Sequence, residues 1–144
     1  MKIMPKITAY RYHDISCGHR VVGHEGKCVH PHGHNYRFHF YCEADALDVL
    51  GRVVDFSVIK ETLCMWLEQA WDHKMLLWEK DPTYDAMVAL YGEGITRMPF
   101  NPTAEALANC MLSSIGPALL QDKGVWLIKV VCDETRKCSA IAEL

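Results

Sequence analysis

The sequence predicts an α+β domain, an antiparallel sheet with helices packed on one face. Two observations predict it. Strand-like segments open and close the chain in sequence-adjacent pairs, and segments with helical spacing lie between them. Two hairpins separated by helices suit one sheet with a helical layer across it.

Residues 3–13 (IMPKITAYRYH) are rich in β-branched and aromatic types and read as the first strand. Residues 14–34 carry Gly18, Gly23, Gly26, Pro31 and Gly33 and read largely as loop or hairpin. In residues 35–43 (NYRFHFYCE), Tyr36, Phe38, Phe40 and Cys42 share one face, and Arg37, His39 and Tyr41 the other. That alternation marks a half-buried strand. Asp55-Phe56-Ser57 offers an N-cap to a helix over 58–71, with Ile59, Leu63, Trp66, Leu67 and Ala70 at helical spacing. Residues 74–102 hold a short helical piece near 83–91 and then a Gly/Pro-containing turn region. A second amphipathic helix spans 103–115, with Pro102-Thr103 at its start and Gly116-Pro117 near its end. Residues 125–133 and 138–144 read as the last two strands. No repeat, low-complexity tract or linker divides the chain, so residues 1–144 form a single domain.

The 144 residues are 50% hydrophobic and 23% charged, enough to bury a real core. A net charge of −3 gives no basic surplus for nucleic acid. The N-terminus lacks an apolar h-region and no apolar run reaches membrane-spanning length, so neither a signal peptide nor a membrane is expected. A cytoplasmic setting follows, and the seven cysteines then read as reduced thiols. Cys42, Cys64, Cys110 and Cys132 fall on apolar faces and read as small buried hydrophobes.

Chemistry concentrates in residues 28–36, CVHPHGHNY. His32 and His34 sit at strand entry two residues apart, so their imidazoles reach one side, and Gly33 removes crowding between them. His19, in the preceding loop, is the natural third ligand for a zinc ion. Three histidines with an open position form the catalytic pattern; structural zinc is closed by four ligands. Cys28 is either that fourth ligand or a thiolate beside the metal, and spacing leaves both open. His30 shares parity with His32, but Pro31 interrupts the strand between them.

Three further clusters have plain readings beside the chemical ones. Asp72-His73 is a relay of carboxylate and imidazole, or a helix C-terminus that favours cations. Asn101-Pro102-Thr103-Ala104-Glu105 is ordinary capping chemistry. Asp133-Glu134-Thr135 ends a strand, where an acid is either solvated or grips a ring bearing adjacent N–H donors.

Together these pieces resemble the family of 6-pyruvoyl-tetrahydropterin synthase and QueD-type 6-carboxytetrahydropterin synthase. The matching residues are His19-Arg20, Cys28 with His32-Gly33-His34-Asn35-Tyr36, Val54-Asp55-Phe56, Asp72-His73-Lys74, Asn101 to Glu105, and Glu134-Thr135. The resemblance implies a T-fold (tunnelling fold), a four-stranded antiparallel sheet with helices on one face, assembled as a homo-oligomer, commonly a hexamer of two trimers. It implies zinc on His19, His32 and His34, with Cys28 as general base and Asp72 and His73 as its relay. Glu134 is then pterin anchor and relay, and Thr103 and Glu105 belong to the pterin pocket, which lies between subunits.

The implied substrate is 7,8-dihydroneopterin triphosphate. The short Cys28-x-x-x-His32-Gly33-His34 spacing resembles the carboxy-forming branch, which feeds 7-deazaguanine and queuosine synthesis. The pyruvoyl branch is the runner-up. Rival readings are a non-catalytic zinc-stabilised assembly module and an aldolase-like dihydroneopterin cleavage. The chain departs from the family at Cys17, at the added His30, and in a longer 76–100 segment that suggests a lid or an altered pocket wall.

Overall fold

The computed structural model describes residues 3–144. Its strands are β1 (Ala9–His19), β2 (His32–Glu43), β3 (Met75–Trp78), β4 (Ile95–Met98), β5 (Trp126–Asp133) and β6 (Ser139–Glu143). They form one six-stranded sheet in the order β4-β3-β1-β2-β5-β6. The α+β class with its helical layer is as expected. The strand count is six, not four, and the sheet is mixed.

The antiparallel part is the expected pair of hairpins, β1–β2 and β5–β6, joined through β2–β5. The added strands β3 and β4 run parallel to β1 and to each other. Each is four residues long, too short to carry a readable alternation. Leu76 and Leu77 of β3 are both fully buried, as in a strand covered on both faces.

The first strand was expected at 3–13 and runs from Ala9 to His19. The partner decides this. β2 ends at Glu43 and its Cys42 pairs with Ala9, so residues before Ala9 have no strand opposite them. Ile3 and Met4 are correspondingly exposed. At the other end the glycines do not break the ladder. Gly18 faces Gly33 in register, and a Cβ on Gly33 would come within 3.3 Å of the Cys17 carbonyl oxygen. Glycine there permits close backbone approach. His19 is therefore a strand residue, not a loop residue.

Asp55 caps α1 (Phe56–Ile59), accepting from the Ser57 N–H at 2.9 Å. A π-helical segment, Lys60–Cys64, carries the chain into α2 (Met65–Ala70). Ile59, Leu63, Cys64 and Leu67 of this stretch are fully buried. The 76–100 segment builds β3, then α3 (Tyr84–Tyr91), then β4. Thr103 caps α4 (Ala104–Cys110), accepting from the Ala106 N–H at 3.1 Å. The helical path continues through a second π segment, Met111–Ile115, into α5 (Gly116–Leu119). Gly116-Pro117 thus does not end it. A Cβ on Gly116 would lie 2.6 Å from Leu127 Cδ2, so this glycine lets the helical layer approach the sheet.

The core joins that layer to one sheet face. Tyr36, Phe38 and Phe40 of β2 are fully buried, and the Phe38 ring packs 5.9 Å from Trp71. Cys42, Cys64 and Cys132 are buried within the core and Cys110 is half-buried; all seven cysteines are free thiols. No helix among the described residues is long and apolar enough to cross a membrane.

Leu107 of α4 has no exposed surface. Leu107→Ala is expected to lower stability by about 2–5 kcal/mol through lost burial and an unfilled cavity. The urea unfolding midpoint checks it.

Candidate metal centre and its flanking cavities

The inner face of β2 carries its core residues at even positions, and His32 and His34 continue that parity. On β1 the parity that buries Ile15 and Cys17 ends at His19. The register pairs His19 with His32 and Cys17 with His34. Three imidazoles therefore share one face, at the end of the hydrophobic core.

Each ring is aimed. His19 is 1% exposed, and its Nδ1 donates to the Pro102 carbonyl at 2.6 Å. The His32 Nδ1 donates to the His30 carbonyl at 2.7 Å. Those bonds select the tautomer and leave the two Nε2 lone pairs free. The Nε2 atoms of His19 and His32 are 3.0 Å apart, and His34 Nε2 is buried without a hydrogen-bond partner. One nitrogen from each ring lies within 4.8 Å of the others. Zn–N bonds of about 2.0–2.1 Å in a tetrahedron would space such nitrogens roughly 3.3 Å apart. An orphaned nitrogen and two lone pairs facing each other are what a cation relieves, and the residues present fit zinc.

Burial pushes the His19 proton affinity below its ordinary value, and this outweighs the favourable Pro102 carbonyl and Glu134 carboxylate. Burial lowers His34 in the same way, again against Glu134. Both rings are neutral near pH 7, the form a metal takes. The Glu134 carboxylate stands 3.9 Å from His19 Nε2 and 3.7 Å from His34 Nε2. These distances exceed hydrogen-bonding range, so it borders the triad without closing it.

Cys28 is half-exposed in a single 3-10 turn, Lys27–Val29, and its thiol is outside the histidine cluster. His30 is exposed; it serves the site through its carbonyl. Burial pushes the Cys17 thiol up to about 12, so it stays an inert thiol at neutral pH.

Asp72 and His73 follow α2 in a turn laced to β1. The Ser16 N–H donates to Asp72 Oδ1 at 2.9 Å, and the His73 N–H donates to the Ser16 carbonyl at 2.6 Å. His73 has φ +61°, a left-handed conformation that non-glycine residues rarely adopt. Its Nδ1 is 2.8 Å from Asp72 Oδ2, and its side chain is 81% exposed. A cavity of 740 Å³ has His34, Asn35, His73 and Lys74 in its wall, with Met87 and Tyr91 of α3 opposite. A polar groove of 700 Å³ carries Arg37, Asp72, His73, Thr135 and Arg136. His73 stands between the two.

Thr103 and Glu105 begin α4: Thr103 is half-buried as the cap and Glu105 is exposed in the first turn. Thr135 Oγ1 accepts from the Lys137 and Cys138 N–H groups and shapes the β5–β6 turn. Sequence reasoning gave no site role to Pro102, whose carbonyl orients His19, nor to Ser16, which holds Asp72. Both act through backbone atoms, which residue type does not reveal.

The sheet with its helical layer on one face is a T-fold. The 6-pyruvoyl tetrahydropterin synthase family profile matches residues 8–144, and the chain belongs to that family. A 6-carboxy-5,6,7,8-tetrahydropterin synthase of Rickettsia typhi is 34% identical over 133 residues, covering 92% of this chain and 96% of that protein. A probable enzyme of the same name from Halobacterium salinarum is 33% identical over 107 residues, covering 73% of this chain and 67% of that protein. Among solved structures, an uncharacterized Wolinella succinogenes protein superposes with a TM-score of 0.86 at 20% identity, covering 97% of this chain and 99% of that one. Caenorhabditis elegans 6-pyruvoyl tetrahydropterin synthase superposes with a TM-score of 0.70 at 24% identity, covering 100% and 99%.

Burial alone would raise the Asp72 carboxyl, but the Ser16 N–H and the His73 ring outweigh it and hold the group below its ordinary 3.8. The stability this contributes is complete above the unfolded value and is lost as pH falls through the lower native one. Denaturant midpoints measured from about pH 5 down to about pH 3 are therefore expected to fall more steeply in wild type than in Asp72→Asn.

Proposed function

We propose that this protein is a zinc-dependent 6-carboxy-5,6,7,8-tetrahydropterin synthase. In this reading 7,8-dihydroneopterin triphosphate and water give 6-carboxytetrahydropterin, acetaldehyde and triphosphate, a lyase reaction of 7-deazaguanine and queuosine synthesis. The observation that carries the reading is the His19–His32–His34 triad, with two tautomers fixed by carbonyls and one buried nitrogen left unpartnered. The name borne by relatives such as the Rickettsia typhi enzyme supports the choice of branch.

A zinc ion held by the three histidines would supply a Lewis acid for the side-chain oxygens of the substrate. The remaining chemistry belongs to the chain. Cys28 takes a proton from the substrate side chain. Asp72 fixes the His73 tautomer through Nδ1, leaving Nε2 to carry a proton. The exposure of His73 suits an imidazole that completes the site of a neighbouring subunit in a homo-oligomer, a hexamer of two trimers. Glu134 accepts from the adjacent N–H donors of the pterin ring, and Thr103 and Glu105 border that ring. The enzyme works in the cytoplasm without nucleic acid or membrane.

Zinc-loaded protein incubated with 7,8-dihydroneopterin triphosphate is expected to yield acetaldehyde and 6-carboxytetrahydropterin by mass spectrometry. A pyruvoyl-tetrahydropterin product would assign the pyruvoyl branch instead. Zinc bound with no turnover would favour the assembly module.

Two variants test the roles. Cys28→Ala should keep near one zinc per chain and lose turnover, and loss of metal would sink the base assignment. His32→Ala should lose the metal, read by elemental analysis; full zinc content there would refute the ligand set.

A further inference from the structure

The three candidate ligands are not held alike. His34 lies inside β2, opposite Cys17, whereas His32 opens β2 and pairs with His19 at the end of the β1–β2 ladder. His19 is the last residue of β1, where that ladder ends. Its backbone also pairs with Leu76 of β3, but the chain that leaves it runs beyond both ladders, and three contacts from distant sequence hold the His19 ring and residues 20–22.

The first is the bond from His19 Nδ1 to the Pro102 carbonyl at 2.6 Å. The second is the Asn101 side chain, which grips Val22 from both sides. The Val22 N–H donates to Asn101 Oδ1 at 3.0 Å, and Asn101 Nδ2 donates to the Val22 carbonyl at 2.9 Å. One amide thus does what a neighbouring strand would do. The third is Arg20, directly after His19, whose Nε lies 2.7 Å from Asp81 Oδ2. The Asp81 side chain is fully buried and that of Arg20 is 18% exposed. The contact is not aligned as a hydrogen bond, so it acts as a charge pair. The other Asp81 oxygen accepts from the Thr83 N–H and hydroxyl, each at 2.8 Å. Asp81 therefore belongs to the turn that precedes α3 and is itself held there.

We infer that Asn101 and the Arg20–Asp81 pair are positioning residues for His19, an inference that rests on the zinc reading above. Asn101 couples the peptide that supplies the orienting carbonyl to the chain just beyond the ligand. Pro102 cannot shift without breaking the Asn101–Val22 bonds. Arg20–Asp81 holds the same stretch from the β3–α3 turn, and its buried charges resist separation because either one alone would be uncompensated. Groups that orient metal-bound imidazoles tune metal affinity although they never touch the ion.

The test is metal affinity and ligand geometry in Asn101→Ser and Asp81→Asn. Zinc dissociation constants would be read by chelator competition, and the visible d–d bands of the cobalt(II)-substituted proteins would report the ligand set. Unfolding of the metal-free proteins would be followed alongside. Arg97→Ala, which removes an exposed ion pair with Glu79 on the same segment, is the control. Zinc affinity is expected to fall roughly 10-fold or more in both variants, with shifted cobalt bands, and to stay at the wild-type value in the control. Wild-type affinity and bands in both variants, even with lowered stability, would overturn the inference and leave the zinc reading standing. Wild-type protein that binds no zinc would overturn both. If Asp81→Asn fails to fold, Asn101→Ser decides, since it removes no buried charge.

Discussion

The structure depends on the register of β1 against β2. Ala9 opposes Cys42 at one end and His19 opposes His32 at the other. A shift of one residue would turn Tyr36, Phe38 and Phe40 out of the core. The same shift would send His32 and His34 to the opposite face from His19. Core burial and site assembly are thus enforced together: hydrophobic contact of three fully buried aromatics fixes the alignment that collects three imidazoles. The paired glycines allow the ladder to run this far, since side chains at Gly18 and Gly33 would press on Met75 and on the Cys17 backbone.

The triad stands where core meets solvent, and burial decides the charge of His19 and His34. Positive imidazoles packed together would repel, and low polarity disfavours the charged form further. Glu134 opposes both effects and does not prevail at His19 or His34. His19 and His34 are neutral as a result, and carbonyls assign the tautomers of His19 and His32. Two orienting acceptors are backbone carbonyls, at His30 and Pro102, so the site draws its order from chain path as much as from side chains.

On the other side of this region His73 holds a left-handed backbone and an exposed ring, fastened to Ser16 and Asp72. Such a conformation persists only where the surroundings over-determine it. The helix α3 adds Met87 and Tyr91 to the cavity His73 shares with His34, so the 76–100 segment is a wall of that cavity. The same segment carries Asp81 and leads to Asn101, which ties the cavity wall to the chain beyond His19.

Much of this was legible in the sequence, for local reasons. The alternation of 35–43 reported a strand because pleating gives residues a period of two. Asp55 and Thr103 marked helix starts because capping needs only a few adjacent residues. His32-Gly33-His34 announced a shared direction for the same geometric reason. What the sequence could not determine depends on partners far along the chain. The ends of β1 were set by the length of β2, the strands β3 and β4 by parallel pairing that four residues cannot signal, and the passage through Gly116-Pro117 by close packing on Leu127. The roles of Pro102, Asn101 and Asp81 were invisible for the same reason. A backbone carbonyl, an amide and a buried carboxylate acquire meaning only when folding brings them to His19 and to Val22 and Arg20 just beyond it, and that approach is a property of the tertiary structure.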